Sequence, residues 1–304
     1  MRQDGLGSHK RVLIVMTSSL LVVSALSICL PDLSVSPALC AAATDRTASQ
    51  EWLKSLLQNK TAVHKLFEDS GLKTELTVCK ETNIYSPKYG VTLCWMSIPA
   101  QRTTMIVKDI QRSGIALQIY ADHKEESDIA VVNGGFFGLN SLNRFVPLGL
   151  IISEGRVKNK RTNWRTGGVI TQTAKSIQIT PIRSFTNSGS TIEAIQSKPL
   201  LVNNGRVEIY SDDYKLFNRT AVGLDSDKNV IVAGAFSDNG KALSLFEFAS
   251  FLATPRAHGG PAVGVALAMD GGPGAHLFFP TLNLHFGEPG ENFVPNTIHF
   301  KRRL

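Results

Sequence analysis

Hydrophobic and polar positions fall into three regimes along the chain. Val12 to Leu30 (VLIVMTSSLLVVSALSICL) carries no charge at all. Downstream, TASQEWLKSLLQ places Trp52, Leu53, Leu56 and Leu57 on one helical face, with Thr47 three residues before Gln50 as in a capping box, so the spacing predicts a helix over 48–58. TAVHKLFEDSG reads as a second short helix ending at Gly71, with His64 a half-buried surface residue. From about residue 91 the pattern turns to short apolar runs bounded by Gly, Asn, Asp or Pro. TTMIVKDI, IALQIYAD, DIAVVN, LGLIISEG, SIQITPI, KPLLVNNG, TAVGLDSDKNVIVAGAF and VGVALAMDG all read as strands. One stretch, ALSLFEFASFLATP from Ala242 to Pro255, returns to a helical period before proline stops it. The expected fold class is therefore α+β (mixed α/β), with a large mixed β-sheet, flanking helices and a single domain after the amino-terminal segment.

Composition and charge refine this picture. The 304 residues are 43% hydrophobic and 19% charged, which suits a globular chain with a substantial core. Arg2, Lys10 and Arg11 precede the uncharged run, the pattern of a secretory signal. Ala41 and Ala43 offer a small-residue cleavage site before Thr44, so residues 1–43 read as a signal peptide; retained, the run is long enough to serve as a membrane anchor. Both readings place the remainder in the periplasm or outside the cell, with any membrane contact made through an uncleaved segment. Loss of residues 1–43 removes three basic and two acidic side chains, taking the net charge from +7 to +6. A basic surface favours anionic partners such as phosphorylated glycans, while the scattered lysines and arginines and the lack of a recognition motif exclude nucleic acid. Cys79 and Cys94 remain, flanking SPKYG in TVCKETNIYSPKYGVTLCW. A hairpin there would bring them together as a disulfide; two buried thiols are the alternative.

Familiar catalytic signatures are absent from the sequence: no HExxH, no GxSxG and no phosphate-binding loop, so no metal and no cofactor are expected. DSDKN at Asp225–Asn229 lacks the glycine and closing glutamate of a calcium loop and reads as a hairpin turn. What remains are three polar residues at strand ends. Asn133 precedes Gly134 and Gly135, Arg219 opens a strand, and Asp270 precedes Gly271 and Gly272. Each alone is compatible with a simple turn or cap.

Taken in order, NGGFF (Asn133–Phe137), PLGLIISEGRV (Pro147–Val157), QSKPLLVNNG (Gln196–Gly205), RTAVG (Arg219–Gly223), LSLFEFASFL (Leu243–Leu252) and MDGGPGAHL (Met269–Leu277) resemble the phosphodiester glycosidase family. The resemblance covers about residues 100–300, so the chain divides into residues 1–43, a leader helix and hairpin over 44–95, and a phosphodiester-glycosidase-like domain over 96–304. It implies cleavage of a sugar C1 to phosphate-oxygen bond. That reaction wants a carboxylate near an oxocarbenium-like C1, and charge stabilisation for a phosphate that already leaves well.

On that basis Asp270 is the expected carboxylate and Arg219 the phosphate contact. Asn133 with the Gly134 and Gly135 amides, and Gly271 with Gly272, would position substrate. Glu247 matches a glutamate frequent in the family's helix and is either a second catalytic carboxylate or a structural partner of Arg219. Lys198 stands where bacterial relatives usually have glycine and either reaches an anionic substrate or faces solvent. His276 either lends a hydrogen bond near the site or occupies a sheet position. The family's acidic and basic pair after the RTAVG strand is missing, although Asp238 stands a few positions away. The sequence thus supports an exported hydrolase of a sugar phosphodiester or related anionic envelope glycan. Its alternatives are a catalytically silent glycan-binding or envelope and exopolysaccharide assembly protein of the same fold, or a hydrolase of ordinary glycosides.

Overall fold

The computed structural model describes residues 37–66, 72 and 74–303. The uncharged run Val12–Leu30 lies outside the described residues. The described residues divide between Ser49 and Gln50 into two units, of which Gln50–Leu304 is the larger.

Helix α1 (Pro37–Gln58) begins well before the expected cap at Thr47, because PALCAAA supplies a proline suited to a first turn and then a run of alanines, the strongest helix formers. In its carboxyl-terminal half Leu53, Leu56 and Leu57 are buried, as the period predicted. The expected second helix is instead strand β1 (Ala62–Leu66), paired antiparallel with β2 (Thr74–Lys80); its end at Gly71 falls outside the described residues. A five-residue segment cannot bury a helical face of its own, and the edge of β2 satisfies its backbone.

Strand is the main regular element of the second unit. One eight-stranded sheet has the order β1, β2, β3 (Thr92–Ile98), β16 (Val230–Phe236), β15 (Arg219–Asp225), β17 (Val263–Ala268), β13 (Leu200–Asn203) and β14 (Arg206–Val207). A five-stranded sheet follows the order β11 (Ile177–Pro181), β10 (Gly168–Gln172), β12 (Glu193–Ser197), β8 (Ile151–Ser153), β9 (Arg156–Asn159). Another has β19 (Leu284–Phe286), β18 (Leu277–Phe279), β5 (Asp128–Asn133), β20 (Glu291–Arg302) and β4 (Thr103–Ile115), and β6 (Phe137–Leu139) with β7 (Phe145–Pro147) forms a hairpin. The α+β class holds, with the strands shared among several sheets whose described pairs are all antiparallel.

The eight-stranded sheet is buried on both faces. One face packs with Leu53, Leu56 and Leu57 of α1 and with Phe248, Phe251 and Leu252 of α3 (Leu245–Ala253); the other joins residues of the remaining sheets. Every residue of β16 is buried as a result, which explains an apolar run without alternation.

This two-sided burial decides the cysteines. The expected β2–β3 hairpin forms, but its register pairs Cys79 with Leu93 and Val78 with Cys94. Side chains alternate faces along a strand, so the two sulfurs lie on opposite sides of the sheet, Cys79 toward the helices and Cys94 toward the other sheets. Both thiols are free and buried, and the expected disulfide is not formed.

A second difference lies at IALQIYAD. Ile115 closes β4, and the remainder is helix α2 (Ala116–His123). Ile115, Leu117 and Ile119 alternate as in a strand, yet Ala116, Ile119 and Tyr120 are the buried positions, at helical spacing.

Candidate functional site

Three strand ends meet at one side-chain amide. Asn133, the last residue of β5 and only 4% exposed, accepts hydrogen bonds at Oδ1 from Thr220 Oγ1 (2.6 Å) and from the His276 amide (3.1 Å). Its Nδ2 donates to the Asp270 carbonyl at 2.8 Å. The backbone closes the same junction: Asp270 N donates to Gly134 O, Met269 N to Thr220 O and Gly272 N to Asn218 O. The three strand ends singled out in the sequence are therefore one structure. Asn133 acts as its joint, with both amide ends engaged by protein, rather than as the expected substrate contact.

The glycine amides are likewise occupied. Gly134 N donates to Asn296 O and Gly135 N to Asn296 Oδ1, both from β20. A Cβ at Gly134 would overlap Asn296 Oδ1, and one at Gly135 would stand 2.9 Å from Gln196 O. Glycine is required here for close packing of strands, not for backbone approach to a ligand. Gly271 N donates to Asp270 Oδ1 at 3.0 Å, and Gly272, at φ +60°, turns the chain so that its amide reaches Asn218.

Asp270 itself is half-buried, and its carboxylate makes no ion pair with a described residue. Loss of hydration raises its pKa from 3.8 to about 6, only partly offset by the Gly271 amide. A Cβ at Gly274 would lie 2.8 Å from Asp270 Oδ2, so the third glycine of the turn leaves room for the carboxyl group. Asp270 lines a small cavity with Tyr120, Gly274, Asn292 and Phe293, with space for about one water.

Arg219 packs beside Gly271. Its Nε donates to Leu243 O (3.1 Å), its Nη2 to Lys215 O (2.9 Å), and the guanidinium sits 5.2 Å from the centre of the Phe217 ring. Nη1 is the side-chain atom nearest to the position of a Gly271 Cβ, at 3.4 Å. Burial lowers its pKa and Asp213 raises it, but no carboxylate is paired with it among the described residues. Two carbonyl tethers fix the fork.

Lys198 stands beside the strand that delivers Asp270, because Ser197 Oγ donates to Ala268 O (2.6 Å) and Ala268 N to Pro199 O (3.0 Å). Its ammonium lies 5.0 Å from the Trp164 ring centre and 5.6 Å from that of Phe136, a half-buried cation over two aromatic faces. His276 lies behind the junction. Its Nε2 faces Pro273 O at 3.0 Å and its Nδ1 faces His285 Nε2 at 3.2 Å. A carbonyl only accepts, so His276 carries its proton on Nε2 and accepts a hydrogen bond at Nδ1 from the Nε2–H of His285. Burial, the neighbouring imidazole and the Pro273 carbonyl together set its pKa near 3, and burial sets that of His285 near 4, so both are neutral supports.

Glu247 is elsewhere employed. It is the third residue of α3, where Ser244 N donates to its Oε2 (3.0 Å) and its own amide donates to Ser244 Oγ (3.2 Å) in a capping box, while Lys88 Nζ pairs with the same oxygen at 2.8 Å. Glu247 is thus held by the helix cap and Lys88, and Arg219 is not among its ion pairs with described residues. The Ser244-x-x-Glu247 spacing was the sequence signal for this cap. Thr220, Asn292, Asn296, His285 and Tyr120 escaped sequence reasoning. Asn296 was detectable as a polar break, after Pro295, in the apolar run of β20; Tyr120 was hidden by the strand-like alternation of α2.

Residues 126–301 match the profile of a family described as phosphodiester glycosidase. Among solved structures, the fold is similar to the catalytic domain of zebrafish N-acetylglucosamine-1-phosphodiester alpha-N-acetylglucosaminidase, auto-inhibited by its pro-peptide, at 13% identity and TM-score 0.55, covering 80% of this chain and 88% of that one. A hypothetical protein from Synechocystis is similar at 14% identity and TM-score 0.50, over 80% of this chain and 64% of that one. At such identities these likenesses speak for the fold alone. No curated protein matches the sequence.

Proposed function

Because the chain belongs to the phosphodiester glycosidase family, a family of glycosidase-type hydrolases, we propose that it hydrolyses a glycosyl-1-phosphodiester or a related anionic envelope glycan at the sugar C1–O bond. The observation that carries this reading is a half-buried carboxylate and a tethered guanidinium at adjoining strand ends, neither held in an ion pair among the described residues. Asp270 would stabilise or attack the electron-deficient C1 or take the proton of water there; Arg219 would hold the departing phosphate, whose oxygens its planar fork suits. Lys198, half-buried over Phe136 and Trp164, adds positive charge at the same strand ends. We also read the chain as exported, a view supported by the basic start and uncharged run of its first thirty residues.

A silent glycan-binding protein is the second reading, favoured by one observation: the glycine amides expected to hold substrate are all bonded within the protein. Turnover separates the two. Residues 44–304, incubated with glycosyl-1-phosphodiesters and anionic wall polymers, should release sugar, and Arg219→Lys should lower kcat/KM about tenfold or more. Binding without release would favour the silent reading, and unaltered kinetics in Arg219→Lys would remove the phosphate contact.

A further inference from the structure

The cavity beside Asp270 holds a group that the reaction outlined above does not use. Tyr120, from α2, is 1% exposed, and its hydroxyl has no hydrogen-bond partner among the described residues. Leaving a buried hydroxyl unpaired costs about 1–3 kcal/mol, so a site that keeps one has a use for it or a guest to satisfy it. The ring is held firmly, with centroids 5.4 Å from His276 and 5.6 Å from His285. Tyr120 lines the same cavity as Asp270, close enough for the carboxylate charge to act on its phenol. The cavity has room for about one water. Tyr120 precedes the residues matched by the family profile, which begin at 126, and reaches the site only because α2 packs behind β5 and β18.

We propose that Tyr120 is a further catalytic residue, whose hydroxyl donates a hydrogen bond to a water held against Asp270 and aims that water at the sugar C1. The proposal rests on the hydrolytic reading of the site. In the step, Asp270 takes one proton from the water, the water oxygen forms its bond to C1, and the C1–O bond breaks with its electron pair leaving on the phosphate oxygen. Asp270 later returns the proton to solvent. Tyr120 keeps its own proton throughout: burial, and secondarily the Asp270 charge, push its pKa well above the usual 10. Other ionisable neighbours do not interfere near neutrality. His276 and His285, the rings in contact with Tyr120, are neutral near pH 7, and Arg219 is not among the charges acting on Tyr120.

The test is Tyr120→Phe in the full chain, which removes the hydroxyl and keeps the ring. By carboxyl-carbon NMR without substrate, the Asp270 titration midpoint should rise by about half a pH unit or more, as expected for losing one donor linked through water. With a glycosyl-1-phosphodiester, kcat should fall about tenfold or more while KM changes less than about twofold. In the unaltered chain the Tyr120 ζ-carbon resonance should titrate with the Asp270 midpoint, which keeps the test alive if the variant does not fold. A Tyr120 resonance or an Asp270 midpoint that does not respond overturns the proposal whether or not any substrate is turned over. A responding pair with unchanged kcat overturns the catalytic role. A responding pair in a chain that turns over nothing sinks the hydrolytic reading and leaves the Tyr120–Asp270 link standing.

Discussion

Asp270→Asn is expected to stabilise the protein while abolishing its activity. The carboxyl is held where water cannot fully reach it, and its pKa stands at about 6 in the fold against an ordinary 3.8. The folded protein thus binds this proton more tightly than the unfolded chain does. Stability linked to it is fully present below about pH 4 and is lost as pH rises through 6. At 1.36 kcal/mol per pH unit, the difference amounts to about 3 kcal/mol at pH 7 and above. Asparagine resembles the protonated acid in shape and can still accept from the Gly271 amide, so it escapes the penalty. Urea unfolding of both proteins between pH 4 and 8 should give curves that coincide near pH 4 and diverge to about 3 kcal/mol, in favour of the variant, by pH 7. Turnover by the variant should be lower by about a hundredfold or more. Equal stability at pH 8 would refute the burial of the charge, and a variant of full activity would remove Asp270 from the chemistry.

Other expectations follow from the same geometry. Asn133→Ala deletes the side-chain hydrogen bonds to Asp270, Thr220 and His276 and strands the buried Thr220 hydroxyl and His276 amide; at about 1 kcal/mol or more for each, urea melts should show a loss of about 3–5 kcal/mol, and a loss under about 1 kcal/mol would deny the joint. Reductant should leave the thermal midpoint unchanged. Cys79 and Cys94 should react with a thiol reagent only after unfolding, since burial raises the Cys79 pKa to about 11 and that of Cys94 further still; peptide mapping that finds them bridged would contradict the β2–β3 register. Glu247→Gln should cost about 1–3 kcal/mol through the lost Lys88 pair with kcat intact, and a large fall in kcat without a fall in stability would return Glu247 to the active site.

By itself the sequence determined what local pattern can determine. Unbroken apolar runs and their bounding turns marked β5, β15, β16 and β17, and proline at 255 with the helical period marked α3. The order of NGGFF, RTAVG and MDGGPG disclosed the family and three strand ends that do converge. What each group does at that junction was decided only by tertiary contacts. Asn133 and the glycines have the same composition whether they hold ligand or hold one another, and it is Asn296 and Thr220, distant in sequence, that occupy their donors and acceptors. A one-residue register in β2–β3 separated two cysteines whose spacing suggested a bridge, because a single step along a strand moves a side chain to the other face. Tyr120 was concealed for a related reason: IALQIY satisfies both the two-residue and the helical period, and only packing against β5 and β18 selected the helix that places Tyr120 in the cavity beside Asp270.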